Sequence, residues 1–336
     1  MKILGIETSC DETAAAVVKN GTEIISNIVN SQIDIHKVFG GVVPEVAARS
    51  HIEAIIPVID EAVSSWGEID AIAVANTPGL VGSLLIGTLT AKTLAKLKNK
   101  PLYSVNHVIS HVYANFLNKN SQTAPKFPLL TLIISGGHTQ LMIFHSHTEY
   151  EIIGQTQDDA VGEAFDKVAK ILGLEYPGGP NISLAAKEGQ TNYNFTHPKL
   201  DNPLDFSFSG LKTAVLRSVQ SNCGKDYTFP SNGLSELLNA SQKADFAASF
   251  QKTAVDILIK KLQIAYEEYK PKSVCLAGGV SANSLLREKV RNIYPDIFLP
   301  PIGFSTDNAA MVSSCAYFQS LSKAPINPNL IDVKPS

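Results

Sequence analysis

Cysteine is scarce in this sequence and never closely paired. Cys10, Cys223, Cys275 and Cys315 lie far apart, with no CxxC between them. That spacing argues against a disulfide framework and a zinc–thiolate cluster, and it fits reduced thiols in a cytosol. An excess of positive charge is lacking too. With 28 Lys and Arg against 31 Asp and Glu, the formal net charge is −3. A polyanion could therefore be met only by a local basic patch. No apolar run reaches the ~18 residues of a membrane span. The opening MKILGIETSCDETAAAVV is interrupted by Glu7, Asp11 and Glu12, so it cannot serve as a signal-peptide core. Neither GxGxxG nor GxxxxGK[ST] occurs, which removes the Rossmann and P-loop fingerprints. What remains, 44% hydrophobic and 18% charged over 336 residues, describes a soluble globular chain with length for two lobes. The end after Ala324 reads as a short extended terminus.

The pattern repeats. Residues 2–6 read as a strand leading into the polar turn ETSCDET and a second apolar run, AAAVV. Residues 128–134 do the same through Ser135-Gly136-Gly137-His138-Thr139 into QLMIF. Residues 70–75 (DAIAVA) run through TPGLVGS into a helical LLIGTLTAKTLAKL. Residues 273–277 (SVCLA) run through GGVSANS into LLREKVRNI. A duplicated α/β architecture follows, two lobes with a cleft between them. Helices are expected over 46–66, over 158–172 with Asp158 and Asp159 at its start, and over 244–269. The stretch 219–241 reads as the most loop-like.

His107-Val-Ile-Ser-His111 is the sharpest chemical signal. It follows the strand PLYSV and opens a helical run, where positions i and i+4 share a face, so both imidazoles can reach one metal ion. The best third ligand is Asp307 in FSTDNAAM, a polar turn before the last helix. The alternative is a pair of surface or capping histidines. Val108 stands where a zincin protease carries its glutamate. The turns at 135–138, at Pro177-Gly178-Gly179-Pro180 after a helix, and at 277–283 can let backbone N–H groups approach phosphate, or can simply be structural. Asp11 and Glu12 in the first turn, and Glu163 and Asp166 on one helix, can bind ribose or magnesium. Asp158 and Asp159 read as a helix cap and solvated face. Lys92, Lys96, Lys98 and Lys100, then Arg287, Lys289 and Arg291, form basic groups that either face RNA or are solvated.

The segments GIETSCDETAAAVV, PEVAARSH, HVISHVYA, ISGGHTQL, DDAVGEAFDKVAKILGL, YPGGP, FSFSGLKTAV, LAGGVSANSLLRE and STDNAAM, in this order and almost end to end, resemble the tRNA threonylcarbamoyladenosine transferases, the TsaD family once called Gcp or O-sialoglycoprotein endopeptidase. The resemblance implies an actin/Hsp70-like (ASKHA) α/β fold. One lobe, 1–120 plus 306–330, would carry the HxxxH site, and the other, 125–305, the glycine-rich nucleotide turns. It implies transfer of a threonylcarbamoyl group from threonylcarbamoyl-adenylate to the exocyclic amine of the adenosine next to the anticodon, in tRNAs reading ANN codons, with release of AMP. The family's metal ligands fall on His107, His111 and Asp307, holding Fe2+, with Zn2+ as the alternative. Its substrate contacts fall on Ile134, Ser135, Gly136, Gly137, His138, Asp166, Gly179 and Asn283, and Asp11 and Glu12 resemble the polar turn facing the same cleft. Implied partners are tRNA, a TsaB-like pseudo-enzyme, a TsaE-like ATPase and, upstream, a TsaC-like adenylate-forming enzyme, with no membrane involved. The start at MKILGIETS resembles the bacterial cytoplasmic form. Rival readings are a metalloprotease, a sugar-kinase-like ATPase and a non-catalytic scaffold.

Overall fold

The computed structural model describes residues 1–117, 124–196 and 199–334. The expected lobe boundary at 120 lies outside them. Two compact units divide the chain: Met1–Lys126 with His145–Glu149 and Pro300–Ser336, and Phe127–Phe144 with Tyr150–Leu299. In chain order the first builds β1 (Lys2–Glu7), β2 (Glu12–Lys19), β3 (Glu23–Ser31), α1 (Ile33–Lys37), α2 (Pro44–Ala62), β4 (Ala71–Thr77), α3 (Val81–Leu97), β5 (Leu102–Asn106) and α4 (His107–Tyr113). The second builds β6 (Leu129–Ile134), β7 (Thr139–Phe144), β8 (Tyr150–Gln155), α5 (Val161–Leu172), α6 (Gly178–Ala185), α7 (Ser209–Asn222), α8 (Ala240–Tyr269), β9 (Ser273–Ala277) and α9 (Ser284–Ile293). The chain then returns to the first unit with α10 (Ala309–Ser320). Among the described residues no helix is long and apolar enough to cross a membrane.

The first sheet runs β3-β2-β1-β4-β5, and the second β8-β7-β6-β9. In both, a hairpin strand is antiparallel to the central one and the crossover strand is parallel to it. A remnant of a fifth strand survives in the second sheet, where Phe298 bridges Cys275 in parallel. The duplicated pattern of the sequence is therefore a duplicated sheet. Strands β1 and β4 are buried on both faces because α3 and α10 pack against them, and β6 is buried along its whole length.

Helix α10 lies unusually close to β1. A Cβ on Gly5 would stand 2.4 Å from Ser313 Oγ and 2.5 Å from the Ala309 carbonyl. Only glycine permits that approach, and it sets the start of α10 in register with the end of β1.

Several local expectations shift. The 158–172 helix begins at Val161. Pro177-Gly178-Gly179-Pro180 follows α5 as expected, and it forms the entry and first turn of α6. Val219–Asn222, expected as loop, close α7. The long helix starts four residues early, at Ala240, because Asn239 and Gln242 form a reciprocal capping box.

Candidate metal and nucleotide sites

Strands β1, β4 and β5 are parallel, so their carboxyl ends share one sheet edge. Glu7 ends β1, and His107 follows β5 directly. The Asn106 side chain accepts the Ile109 N–H at 3.0 Å, starting α4 at His107. One turn on, His111 lies beside it, ring centroids 4.8 Å apart and nearly perpendicular. Asn308 caps α10 through the Met311 N–H, and the amide of Asn308 donates to the Thr306 carbonyl, which ties down the loop bearing Asp307.

His107, His111 and Asp307 thereby converge, with one ligand atom from each lying within 4.8 Å of the others. Asp307 Oδ1 is 3.2 Å from His111 Nε2 and 3.6 Å from His107 Nε2. Both ring nitrogens of His111 are buried without a hydrogen bond, a costly state for a polar group unless something else occupies it. Two imidazoles and a carboxylate suit iron or zinc alike. Glu7, fully buried, accepts the His107 Nδ1–H at 2.9 Å.

Negative charge crowds this corner. Burial first, then Asp307 and Asp11, push the Glu12 carboxyl well above the usual carboxylate range. Burial works against charge on His107, but Glu7 and then Asp307 outweigh it and raise the imidazole to about 9. The corner thus favours a positive charge, and a divalent ion would displace the imidazole proton. The Cys10 thiol is pushed far up by burial, then by Asp11, Asp307 and Glu12, which makes it a poor nucleophile. Ser9 Oγ lies 3.0 Å from His107 Nδ1, but this is the nitrogen that Glu7 already engages. A serine relay needs its two partners on opposite ring nitrogens, so Ser9 is not the nucleophile of a triad.

In the second unit, β6 ends at Ile134 and the 135–138 turn follows. The Ser135 N–H donates to the His138 carbonyl and the His138 N–H to Ser135 Oγ, at 2.8 and 3.1 Å. These two amides are spent within the turn. Gly136 and Gly137 stand exposed, with nothing within 4 Å of a Cβ at either. The turn is wedged from two sides. A Cβ on Gly162 would stand 2.5 Å from the Ser135 carbonyl, and one on Gly278 2.4 Å from the Ile134 carbonyl. Sequence reasoning passed over Gly162, although a glycine in the first turn of a helix signals such an approach.

Asp166 on α5 accepts the Gly178 N–H at 2.6 Å, which fastens the start of α6 to α5. A Cβ on Gly178 would stand 2.5 Å from the Asp166 Cα, whereas one on Gly179 would meet nothing. Asn283 caps α9 through the Leu286 N–H and donates to Gln251 Oε1 at 2.8 Å, so its side chain is partly committed to the fold. Glu163 pairs with Lys167 one turn away.

The two aspartates expected to cap α5 do otherwise. Asp158 accepts the Phe208 and Ser209 N–H groups at the start of α7. Asp159 pairs with Lys167 and Lys212. In the second basic group, Arg287 Nε donates to the Ser281 carbonyl and Lys289 pairs with Asp256, so both serve the fold.

A family model described as tRNA N6-adenosine threonylcarbamoyltransferase (TsaD) matches residues 23–314. Proteins of that name from Dehalococcoides mccartyi and Thermomicrobium roseum are each 48% identical to the chain. They cover 96% and 95% of it, and the matches span 94% and 92% of their own lengths. A third, from Moorella thermoacetica, is 46% identical over 98% of the chain and 95% of its own. Among solved structures, HypF of T. kodakarensis aligns with a TM-score of 0.59 at 14% identity, over 95% of this chain and 47% of that one. Component A of the Acidaminococcus fermentans (R)-2-hydroxyglutaryl-CoA dehydratase aligns at 0.51 and 15% identity, over 96% and 100%. At such identities the likeness concerns the fold alone, the actin/Hsp70-like duplicated α/β arrangement.

Proposed function

The chain belongs to the tRNA N6-adenosine threonylcarbamoyltransferase (TsaD) family, and from that membership we propose the particular reaction it performs. It is a transferase that threonylcarbamoylates tRNA. The donor in our reading is threonylcarbamoyl-adenylate, and the acceptor is the exocyclic amine of the adenosine next to the anticodon in tRNAs reading ANN codons. AMP is the leaving group. The observation that carries this reading is the convergence of His107, His111 and Asp307 in a chain of this family.

His107, His111 and Asp307 would hold the ion, Fe2+ or Zn2+. Bound there, it would supply Lewis acidity toward a carbonyl or phosphoryl oxygen. The exposed Gly136 and Gly137 of the turn after Ile134 offer backbone room for the adenylate, with Ser135 and His138 closing the turn that presents them. Gly179, held in place by the Asp166–Gly178 bond, offers a second open backbone face for the nucleoside, and Asn283 a remaining amide hydrogen. Asp11 and Glu12 place two more carboxyl groups beside the cation ligands, and burial with Asp307 and Asp11 disposes Glu12 to keep its proton there. Neither Cys10 nor Ser9 is set up as a nucleophile, so the amine attacks the carbamoyl carbon directly rather than through a covalent enzyme intermediate. The target base lies in a single-stranded loop, where unstacking costs least. A TsaB-like pseudo-enzyme and a TsaE-like ATPase are the proposed partners, with a TsaC-like enzyme supplying the adenylate in the cytoplasm. In this setting the first unit bears the metal and the second the nucleotide.

The test is a reconstituted assay for threonylcarbamoyladenosine on an ANN-reading tRNA, with and without the partners, and with metal content measured in parallel. His111→Ala is expected to lose both metal and transfer while keeping the fold. Full transfer by a metal-depleted His111→Ala protein would remove the metal from the reaction.

A further inference from the structure

Glu7 is fully buried and both its oxygens are engaged. Oε1 accepts the Ser9 N–H at 2.5 Å, and Oε2 faces His107 Nδ1 at 2.9 Å. A carboxylate can only accept, so the ring must present a proton at Nδ1. A neutral imidazole with its proton there has its lone pair on Nε2, the atom that faces Asp307 Oδ1. The other tautomer would set the Nδ1 lone pair against the carboxylate with no hydrogen between them. Ser9 Oγ, 3.0 Å from the same nitrogen, cannot impose this choice, because a hydroxyl both donates and accepts.

We propose that Glu7 is a positioning residue for the cation site, holding the His107 proton on Nδ1 so that Nε2 serves as the ligand atom. The inference rests on the metal reading above. The backbone supports it. Glu7 ends a strand flanked by β2 and β4, so its carboxylate is carried by the most constrained part of the sheet. The close packing of α10 on Gly5 of the same strand sets Asp307 in register with it. Carboxylate, imidazole and ligand position thus form one rigid series. Loss of such an outer hydrogen bond typically weakens a metal site about 10–100-fold.

Zinc is the probe, because it is diamagnetic and needs no reductant. Zinc affinity is measured by competition with a chelator for the wild type, Glu7→Gln, Ser9→Ala and His111→Ala, beside their thermal midpoints. Glu7→Gln is expected to bind zinc about 10–100-fold more weakly, and Ser9→Ala to stay close to wild type. In 15N-labelled, zinc-loaded wild type, His107 should show a slowly exchanging, strongly deshielded proton on Nδ1, moved upfield in Glu7→Gln. A merely structural role would lower the midpoint without moving either signal. The spectrum of the wild type decides the question even if Glu7→Gln fails to fold: a His107 proton on Nε2 overturns the proposal. Zinc binding that is lost in His111→Ala but intact in a folded Glu7→Gln protein overturns it while sparing the metal reading. A wild type that binds no zinc or iron overturns both.

Discussion

His51 shows how one buried residue links pH to folding. Its Nε2–H donates to the Cys10 carbonyl at 3.0 Å, and its Nδ1 lies 2.8 Å from Thr13 Oγ1, so the ring is neutral and fully used. Burial holds its pKa below the ordinary 6.5, against the weaker pull of the Cys10 hydrogen bond and nearby carboxylates. Unfolded, the imidazole takes a proton near 6.5; folded, it resists until lower pH. The unfolded state therefore binds more protons in that window. The stability His51 contributes is complete above pH 6.5, falls as pH drops toward the folded value, and levels off beneath it. Denaturant unfolding at pH 7.5 and 5.5 should show a smaller pH-dependent loss in His51→Gln than in the wild type. Equal losses would mean that His51 is not the group responsible.

Two adjacent glycines separate packing from open space. Gly178→Ala would gain up to ~1 kcal/mol of helix propensity, but its methyl would strike the α5 backbone at 2.5 Å. Overpacking of about 1–3 kcal/mol wins, so the thermal midpoint should fall. Gly179→Ala meets no neighbour and should leave stability equal or slightly higher. If the adenylate approaches there, its affinity should drop in Gly179→Ala, measured by calorimetry. An unchanged affinity would move the nucleoside elsewhere.

Among elements, local sequence set a cap that the expected helix start at 244 passed over. Asn239 and Gln242 fit the capping-box spacing, and Asn239→Ala should cost ~1 kcal/mol through the loss of its bond to the Gln242 N–H. Asn283→Ala should cost a similar amount by uncapping α9, so a loss of activity in that variant has to be corrected for stability before it is assigned to the ligand. If Asn283→Ala leaves the midpoint untouched while activity falls, its service is to the ligand alone. The HxxxH pair was readable because i,i+4 spacing is a local rule. Glu7 was not, since its partner is brought to it only by the parallel pairing of β1, β4 and β5. Asp158 misled for the same reason. Its neighbours suggest a cap for α5, but the amides it satisfies belong to α7, about fifty positions along.

On the scale of the whole molecule, the repeat in the sequence and the repeat in the sheets agree because hairpin and crossover patterns are set by alternation and turn chemistry. The acidic balance has a consequence for RNA. The formal charge is −3, and in the 287–291 group Arg287 and Lys289 are occupied within the fold. Just past α3, Lys98 is held over the Trp66 ring, so the free basic surface is smaller than the count of Lys and Arg suggests. Phosphate contacts dominate RNA affinity and weaken with salt, each steepening the slope of log K against log salt by about 0.7–0.9. The chain alone should therefore bind tRNA weakly, with a shallow salt slope, and the proposed TsaB-like and TsaE-like partners should tighten binding and steepen the slope together. Fluorescence anisotropy with labelled tRNA between about 50 and 200 mM salt separates the cases. If the chain alone matches the assembled set in both affinity and slope, then its own basic surface suffices, and the proposed partners act on the chemistry rather than on RNA capture.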